Sequence, residues 1–309
     1  MNSYLSESSR LMWLDIAKAT AIILMVLGHT SIPNSMSNFI WAFHMPLFFI
    51  ASGWTTNWEK YSIIKFLLTK SRTLLVPFVV YSVVVLTIQK IMGWNDVGDW
   101  LQHGWVAYAL WFIPVLYLAL LCARMIFAIR VKSMHIVVVV LFLVVGALLC
   151  KSGTYLPWSL SSVPYATFMV MLGGKMKKWL SQQMLEPKWW KILILFSLTF
   201  GVSHFWRLDM CFNSILPIIP LTIGALSGTL MVFYVSMLIE RHFTKMASVV
   251  AAIGRETYII VAFSQIIIMS INHLYPMNVA LKYGLLVVLL VLLKNIKDVV
   301  NKLLKTKIL

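Results

Sequence analysis

The sequence predicts an all-α integral membrane protein with about ten transmembrane helices and both termini in the cytoplasm. Three observations predict it. Of the 309 residues, 61% are hydrophobic and 12% charged, about half the charged share of an ordinary soluble domain. Apolar runs of roughly 20 residues recur from end to end, the length a helix needs to cross a hydrocarbon core about 30 Å thick. Lys and Arg cluster between these runs, on alternate sides. A transmembrane β-barrel would show short segments of alternating polarity instead, and the sequence has none.

The runs fall at roughly 11–31, 38–56, 72–92, 105–127, 134–151, 160–177, 190–206, 214–238, 248–271 and 278–298. The first carries Asp15 and Lys18 and no small-residue cleavage pattern follows it, so it reads as a span and not as a signal peptide. With ten spans, 21 of the 26 Lys and Arg lie on the side of the termini, 4 on the other, and Lys18 inside the first run. That asymmetry sets the orientation, because cytoplasmic loops carry the excess of basic residues. The formal net charge of +16 is spread over short loops, which suits a bilayer surface and gives no nucleic-acid footprint. Cys122, Cys150 and Cys211 are an odd number with no metal spacing, so neither a disulfide framework nor a metal site is expected. No repeat or low-complexity segment divides the chain, and residues 1–309 read as one domain.

The segments on the basic-poor side are short and rich in turn and aromatic residues: "SIPNSMSN", "GWNDVGDWLQHGW", "SGTYLPWSLSSVPY" and "HFWRLDMCFNS". Their Trp and Tyr suit an interfacial belt, or, beside Asn, Asp and His, a platform for sugar rings. Asp96, Asp99 and His103 read as solvated loop residues.

Four polar residues sit in the first two runs: Asp15, Lys18, His29 and His44. Asp15 and Lys18 are neighbours at i, i+3. Lys18 and His29 are 11 residues apart, which at about 100° per residue leaves them within about 20° of one stripe and about 16 Å apart along the axis. Lys18 then lies towards the cytoplasm and His29 towards the outside. His44, on the descending second span, comes to a similar depth. A snorkelling Asp15–Lys18 couple and two helix-bridging histidines are the plain structural alternatives. Buried ionisable groups need a partner or a cavity, which makes a functional site the default expectation. A neutral imidazole can serve as general base or as nucleophile. Protease, lipase and zinc-hydrolase motifs are absent from the sequence. Lys18, Lys70 and Arg72 suit an anionic cofactor such as a nucleotide-linked thioester, though "KSR" at 70–72 also serves as a positive-inside anchor.

"RLMWLDIAKATAIILMVLGH" followed by "FHMPLFFIASGW" resembles the opening of the membrane acyltransferase-3 family. Further likeness runs through "SRTLLVPFVVYS", "ALWFIPVLYLALL", "FNSILPIIPLTIGALSG" and "IGRETYIIVAF". The compact size and the Asn213 region look most like the branch of fucose 4-O-acetylases and related sugar O-acetyltransferases. The resemblance implies acetyl transfer from cytoplasmic acetyl-CoA to a hydroxyl of a cell-surface glycan or lipid-linked sugar, in a bacterial cytoplasmic membrane, without a metal. It makes His29 the catalytic residue, with His44 and Asp15 beside it, and matches Arg10, Asp15 and Lys18 to the polar positions of the first motif. Arg10, Lys18, Lys70 and Arg72 are expected at coenzyme A. Asn38, Trp111, Asn213 and Gln265 are expected at the acceptor, with Asn34 and Asp209 as further candidates. One departure stands out: many relatives carry a histidine in the penultimate span where this chain reads Phe263-Ser264-Gln265, and glutamine does not titrate. A glycolipid or small-anion transporter with a histidine proton relay is the rival class, and a non-catalytic scaffold a third. The transporter predicts repeats or matched helix breaks in two halves.

Overall fold

The computed structural model describes residues 11–30, 32–94, 109–183, 186–274 and 278–303. Among them secondary structure is helical, apart from one bridge between Asp209 and Ser214. α1 (Met12–Gly28) and α2 (Asn34–Thr55) form the opening pair. α3 (Ile63–Lys70) starts where the Ser62 side chain accepts the Lys65 N–H, a standard helix cap. It runs through a π-helical turn, Ser71–Leu75, into α4 (Val76–Ile91). Pro77 follows that turn; having no N–H, it cannot continue the regular ladder, and a widened turn accommodates the lost bond.

α5 (Phe112–Ala128), α6 (Lys132–Lys151) and α7 (Val163–Gln183) come next, with a 3₁₀ segment, Pro157–Ser162, before α7. α8 (Trp189–Phe205), α9 (Ile218–His242), α10 (Thr244–Arg255), α11 (Thr257–Leu274) and α12 (Val279–Leu303) complete the order. Among the described residues, five continuous helices are long and apolar enough to cross a membrane: Ile63–Ile91, Lys132–Lys151, Ile218–His242, Thr257–Leu274 and Val279–Leu303. Phe112–Ala128 and Trp189–Phe205 are apolar but shorter. This is a multi-pass membrane protein.

Two boundaries differ from the sequence expectation. Residues 63–72 are helical and not a loop, so Lys65, Lys70 and Arg72 project from one continuous rod. Their charges read as a loop, yet Ile63, Ile64, Leu67 and Leu68 before and between them make an amphipathic helix, and long Lys stems extend from such a helix to water. The expected span at 248–271 is also broken. Its first part belongs to the short α10, and Glu256 is the break before α11.

α1, α2, α7 and α9 build the centre, with Phe43, Phe49, Phe233 and Tyr165 wholly buried. α6 and α12 lie at the periphery, and their exposed faces are Val, Ile and Leu, as suits lipid contact. Small residues set the central crossings. A Cβ on Gly53 would stand 1.9 Å from the Val170 carbonyl oxygen, and one on Gly173 2.0 Å from that of Ile50. α2 and α7 therefore touch backbone to backbone, the approach that membrane helices reserve for small side chains. α10 meets α1 in the same way: a Cβ on Gly254 would lie 1.8 Å from the Asp15 carbonyl oxygen. Gly173→Val is expected to separate α2 from α7 and cost about 3 kcal/mol, in the range of core overpacking, which a thermal melt of the detergent-solubilised protein measures.

Candidate active site

The two histidines of the first two helices come together at one end of the bundle, where α1 finishes and α2 begins. His29 caps the C-terminus of α1 and is exposed, while His44 on α2 is buried. The Trp41 indole joins them, its centroid 4.7 Å from the His29 ring and 4.5 Å from the His44 ring. Asn38, Trp41 and His44 follow at intervals of three along α2, so they share one face.

Both imidazoles are oriented in the same manner. His29 Nδ1 lies 2.8 Å from the Met25 carbonyl oxygen, and His44 Nδ1 lies 2.9 Å from that of Ile40. A carbonyl oxygen can only accept, so each neutral ring carries its hydrogen on Nδ1 and keeps its lone pair on Nε2. Among the described residues His44 Nε2 has no hydrogen-bond partner, and neither has the Trp41 Nε1–H. Met25 is a joint: its carbonyl takes the His29 Nδ1–H, and its sulfur lies 3.9 Å from Gln265 Nε2. Gln265 is thereby placed behind His29, buried on α11 with Ser264 beside it.

A residue that sequence reasoning left among the sparse outer cations completes this cluster. The Arg207 guanidinium lies over the Trp41 ring, 4.9 Å from its centroid, and donates to Asn38 Oδ1 at 3.3 Å. Arg207 acts electrostatically on both histidines, and Asp209 on His29. The available signal was its rarity: one of four Lys or Arg on the basic-poor side. Trp111 and Asn213 are placed differently. Trp111 is buried at the start of α5 against Phe112, whose ring packs on Phe48 and Phe49. Asn213 is buried and donates to the Gly146 carbonyl at 3.1 Å, which ties its loop to α6. Asn34 lies exposed at the start of α2.

At the other end, where α1 begins, Lys18 Nζ and Asp15 Oδ1 form an ion pair at 2.7 Å, with the Asp15 side chain buried and Lys18 partly exposed. Lys18 thus has its charge matched by Asp15, which distinguishes it from Arg72, exposed on the π turn, and from Lys70, half-buried with its ammonium over the Phe66 ring. Arg10, Asp96, Asp99 and His103 lie outside the described residues.

The π turn is held by two tyrosines from distant segments. Tyr117 on α5 meets the Ser71 hydroxyl at 2.9 Å, and the Tyr258 hydroxyl on α11 donates to the Leu74 carbonyl at 2.6 Å. Tyr81 packs edge-on against both Tyr258 and Phe263. Nearby, Lys297 on α12 pairs with Glu256, the residue between α10 and α11. The segments "SRTLLVPFVVYS", "LWFIPVLY" and "IGRETYIIVAF" therefore converge on one turn, and Gly254 of the last also seats against Asp15. Tyr258→Phe removes its hydrogen bond to the Leu74 carbonyl and is expected to cost about 1 kcal/mol. A melt checks this, and a raised KM for the acyl donor with kcat unchanged would mark the turn as part of the donor site.

A family model for the acyltransferase domain matches residues 11–294. The chain belongs to the acyltransferase-3 family. Neither a comparison with curated proteins nor one with solved structures returns a match. As an acyltransferase, the protein needs a base for the acceptor and a site for an activated acyl donor. The His29–Trp41–His44 cluster has the chemistry of the first, and the cations about the π turn have that of the second.

Proposed function

We propose that this acyltransferase transfers an acetyl group from cytoplasmic acetyl-CoA to a hydroxyl of a cell-surface glycan or lipid-linked sugar. The proposal includes ten spans with both termini in the cytoplasm of a bacterium, which places the histidines towards the outer face. The observation that carries it is the orientation of His29: Nδ1 is committed to the Met25 carbonyl, and Nε2 is left as the basic nitrogen on an exposed ring.

The donor enters at the opposite end, where Lys70 and Arg72 hold its phosphates and the Asp15–Lys18 pair lines its path; Arg10 belongs to the same proposed set. About 16 Å separates Lys18 from His29 along the helix axis, a distance the extended pantetheine arm spans, so coenzyme A stays inside. His29 Nε2 takes the proton of the acceptor hydroxyl as its oxygen attacks the thioester carbonyl carbon. The tetrahedral intermediate collapses, the C–S bond breaks, and the imidazolium returns the proton to the departing thiolate. Trp41 and His44 hold His29 in register, and Gln265 acts through Met25. Glutamine in place of a third titrating group leaves the proton transfer to the histidine pair. Asn38 faces the acceptor. Trp111 and Asn213 complete the proposed acceptor set.

Purified protein in liposomes, given radiolabelled acetyl-CoA and a panel of bacterial lipid-linked sugars, is expected to place label in the sugar. Movement of intact sugar or anion across the bilayer with no labelled product would favour the transporter and overturn this reading.

A further inference from the structure

The Arg207 guanidinium is held with unusual care for an exposed loop residue. The segment that carries it is pinned on three sides. Leu208, Met210, Asn213 and Ile215 are buried. Asp209 and Ser214 exchange backbone hydrogen bonds at 3.1 and 2.7 Å, and the Asp209 carboxylate accepts the Cys211 N–H at 3.0 Å. Asn213 is tied to α6 as described, and the Ser162 hydroxyl donates to the Met210 carbonyl. The Asp209 carboxylate is thus tied to its own loop, from where it acts on the Arg207 charge electrostatically without contact. Among the described residues no carboxylate lies within ion-pair distance of Arg207. Its partners there are the neutral Asn38 oxygen and the face of Trp41.

A guanidinium held over an indole face, with one N–H given to Asn38, keeps its other N–H groups for an anion, and guanidinium is the fork that matches phosphate oxygens two at a time. Phe205 and Trp206 precede it and are exposed, as aromatics are at the water–headgroup boundary. The charge thus stands at the level where the phosphate joining a sugar to its lipid would lie. Asn38 and His44 are six residues apart on one face of α2, about 9 Å along the axis, with His29 packed on Trp41 between them. An anion at Arg207 and Asn38 would put the adjoining sugar ring over the imidazoles.

We infer that Arg207 and Asn38 form a phosphate subsite that anchors a lipid-linked sugar phosphate or diphosphate with its hydroxyl at His29. This deepens the acetyltransferase reading by naming the acceptor class, and its test does not use catalysis. The probe is the rate at which diethyl pyrocarbonate modifies exposed His29, read by peptide mass spectrometry on the full-length protein in neutral detergent. Farnesyl diphosphate is expected to slow the modification about fivefold or more, the effect of a charge-assisted pair of hydrogen bonds. Farnesol should not slow it. Arg207→Gln should abolish the protection, and Arg207→Lys, which keeps the charge but loses the fork, should retain part of it. Thermal melts establish that both variants fold; should Arg207→Gln fail, Arg207→Lys and Asn38→Ala carry the comparison.

No protection, or protection unchanged by these substitutions, overturns the subsite. Equal protection by phosphatidylglycerol would make it a site for bilayer headgroups. Equal protection by inorganic pyrophosphate would make it a free-phosphate site, and by glucuronate an acidic-sugar site; each outcome ends the lipid-linked assignment. Loss of protection in a protein that still transfers acetyl groups removes the subsite alone. Protection in a protein that transfers none removes the acetyltransferase reading alone.

Discussion

Replacing His29 with Ala is expected to lower the kcat of acetyl transfer by about 10³-fold, the usual contribution of a positioned general base. The fold should survive, because His29 is exposed at the end of α1 and loses only its edge-to-face contact with Trp41 and its hydrogen bond to the Met25 carbonyl, each worth about 1 kcal/mol. His44→Gln is the informative partner. His44 is buried, its Nδ1 serves the Ile40 carbonyl and its ring leans on Trp41, so its replacement should disturb the placement of His29 and reduce kcat by a smaller factor. Single-turnover transfer from radiolabelled acetyl-CoA measures both. Retained turnover in His29→Ala, with the protein monodisperse and its melting temperature unchanged, would end the assignment of His29 as base. A larger loss in His44→Gln than in His29→Ala would exchange their roles.

The helical, membrane-embedded character was legible because apolar runs leave few alternatives for a backbone that must satisfy its own hydrogen bonds. The pairing of Asp15 with Lys18 was legible too, since i, i+3 neighbours on a helix are forced together. Less legible were features that depend on distant segments. "SRTLL" gives no sign that it forms a π turn; that conformation is supported by Tyr117 and Tyr258, both far away in sequence. The charges of Lys65, Lys70 and Arg72 suggested a loop, whereas the aliphatic residues between them set the helix. Arg207 was visible as a rare outer cation, but nothing local says that its loop folds back onto Trp41. Asn213 looked like a ligand residue because it is polar and flanked by aromatics. Nothing in the sequence signals that its side-chain N–H holds the Gly146 carbonyl, a contact between segments more than sixty residues apart.

Asp15→Asn is expected to cost about 3 kcal/mol, towards the lower end for breaking a buried ion pair because Lys18 is partly exposed. The penalty comes from leaving the partly buried ammonium without its counter-charge. Stability alone therefore does not reveal whether the pair serves the donor, since a purely structural pair would respond in the same way. The double variant Asp15→Asn, Lys18→Met separates the two roles. Removing both charges relieves the uncompensated ammonium, and the melting temperature should return to within a few degrees of the parent, as replaced buried pairs often allow. If the pair lines the donor path, the acetyl-CoA KM of this folded double variant should still be raised about tenfold, the worth of one charge-assisted hydrogen bond to a phosphate or carbonyl oxygen. A double variant that regains both stability and KM would make Asp15–Lys18 a packing device for the close α1–α10 crossing at Gly254, and would leave Lys70 and Arg72 to hold the donor.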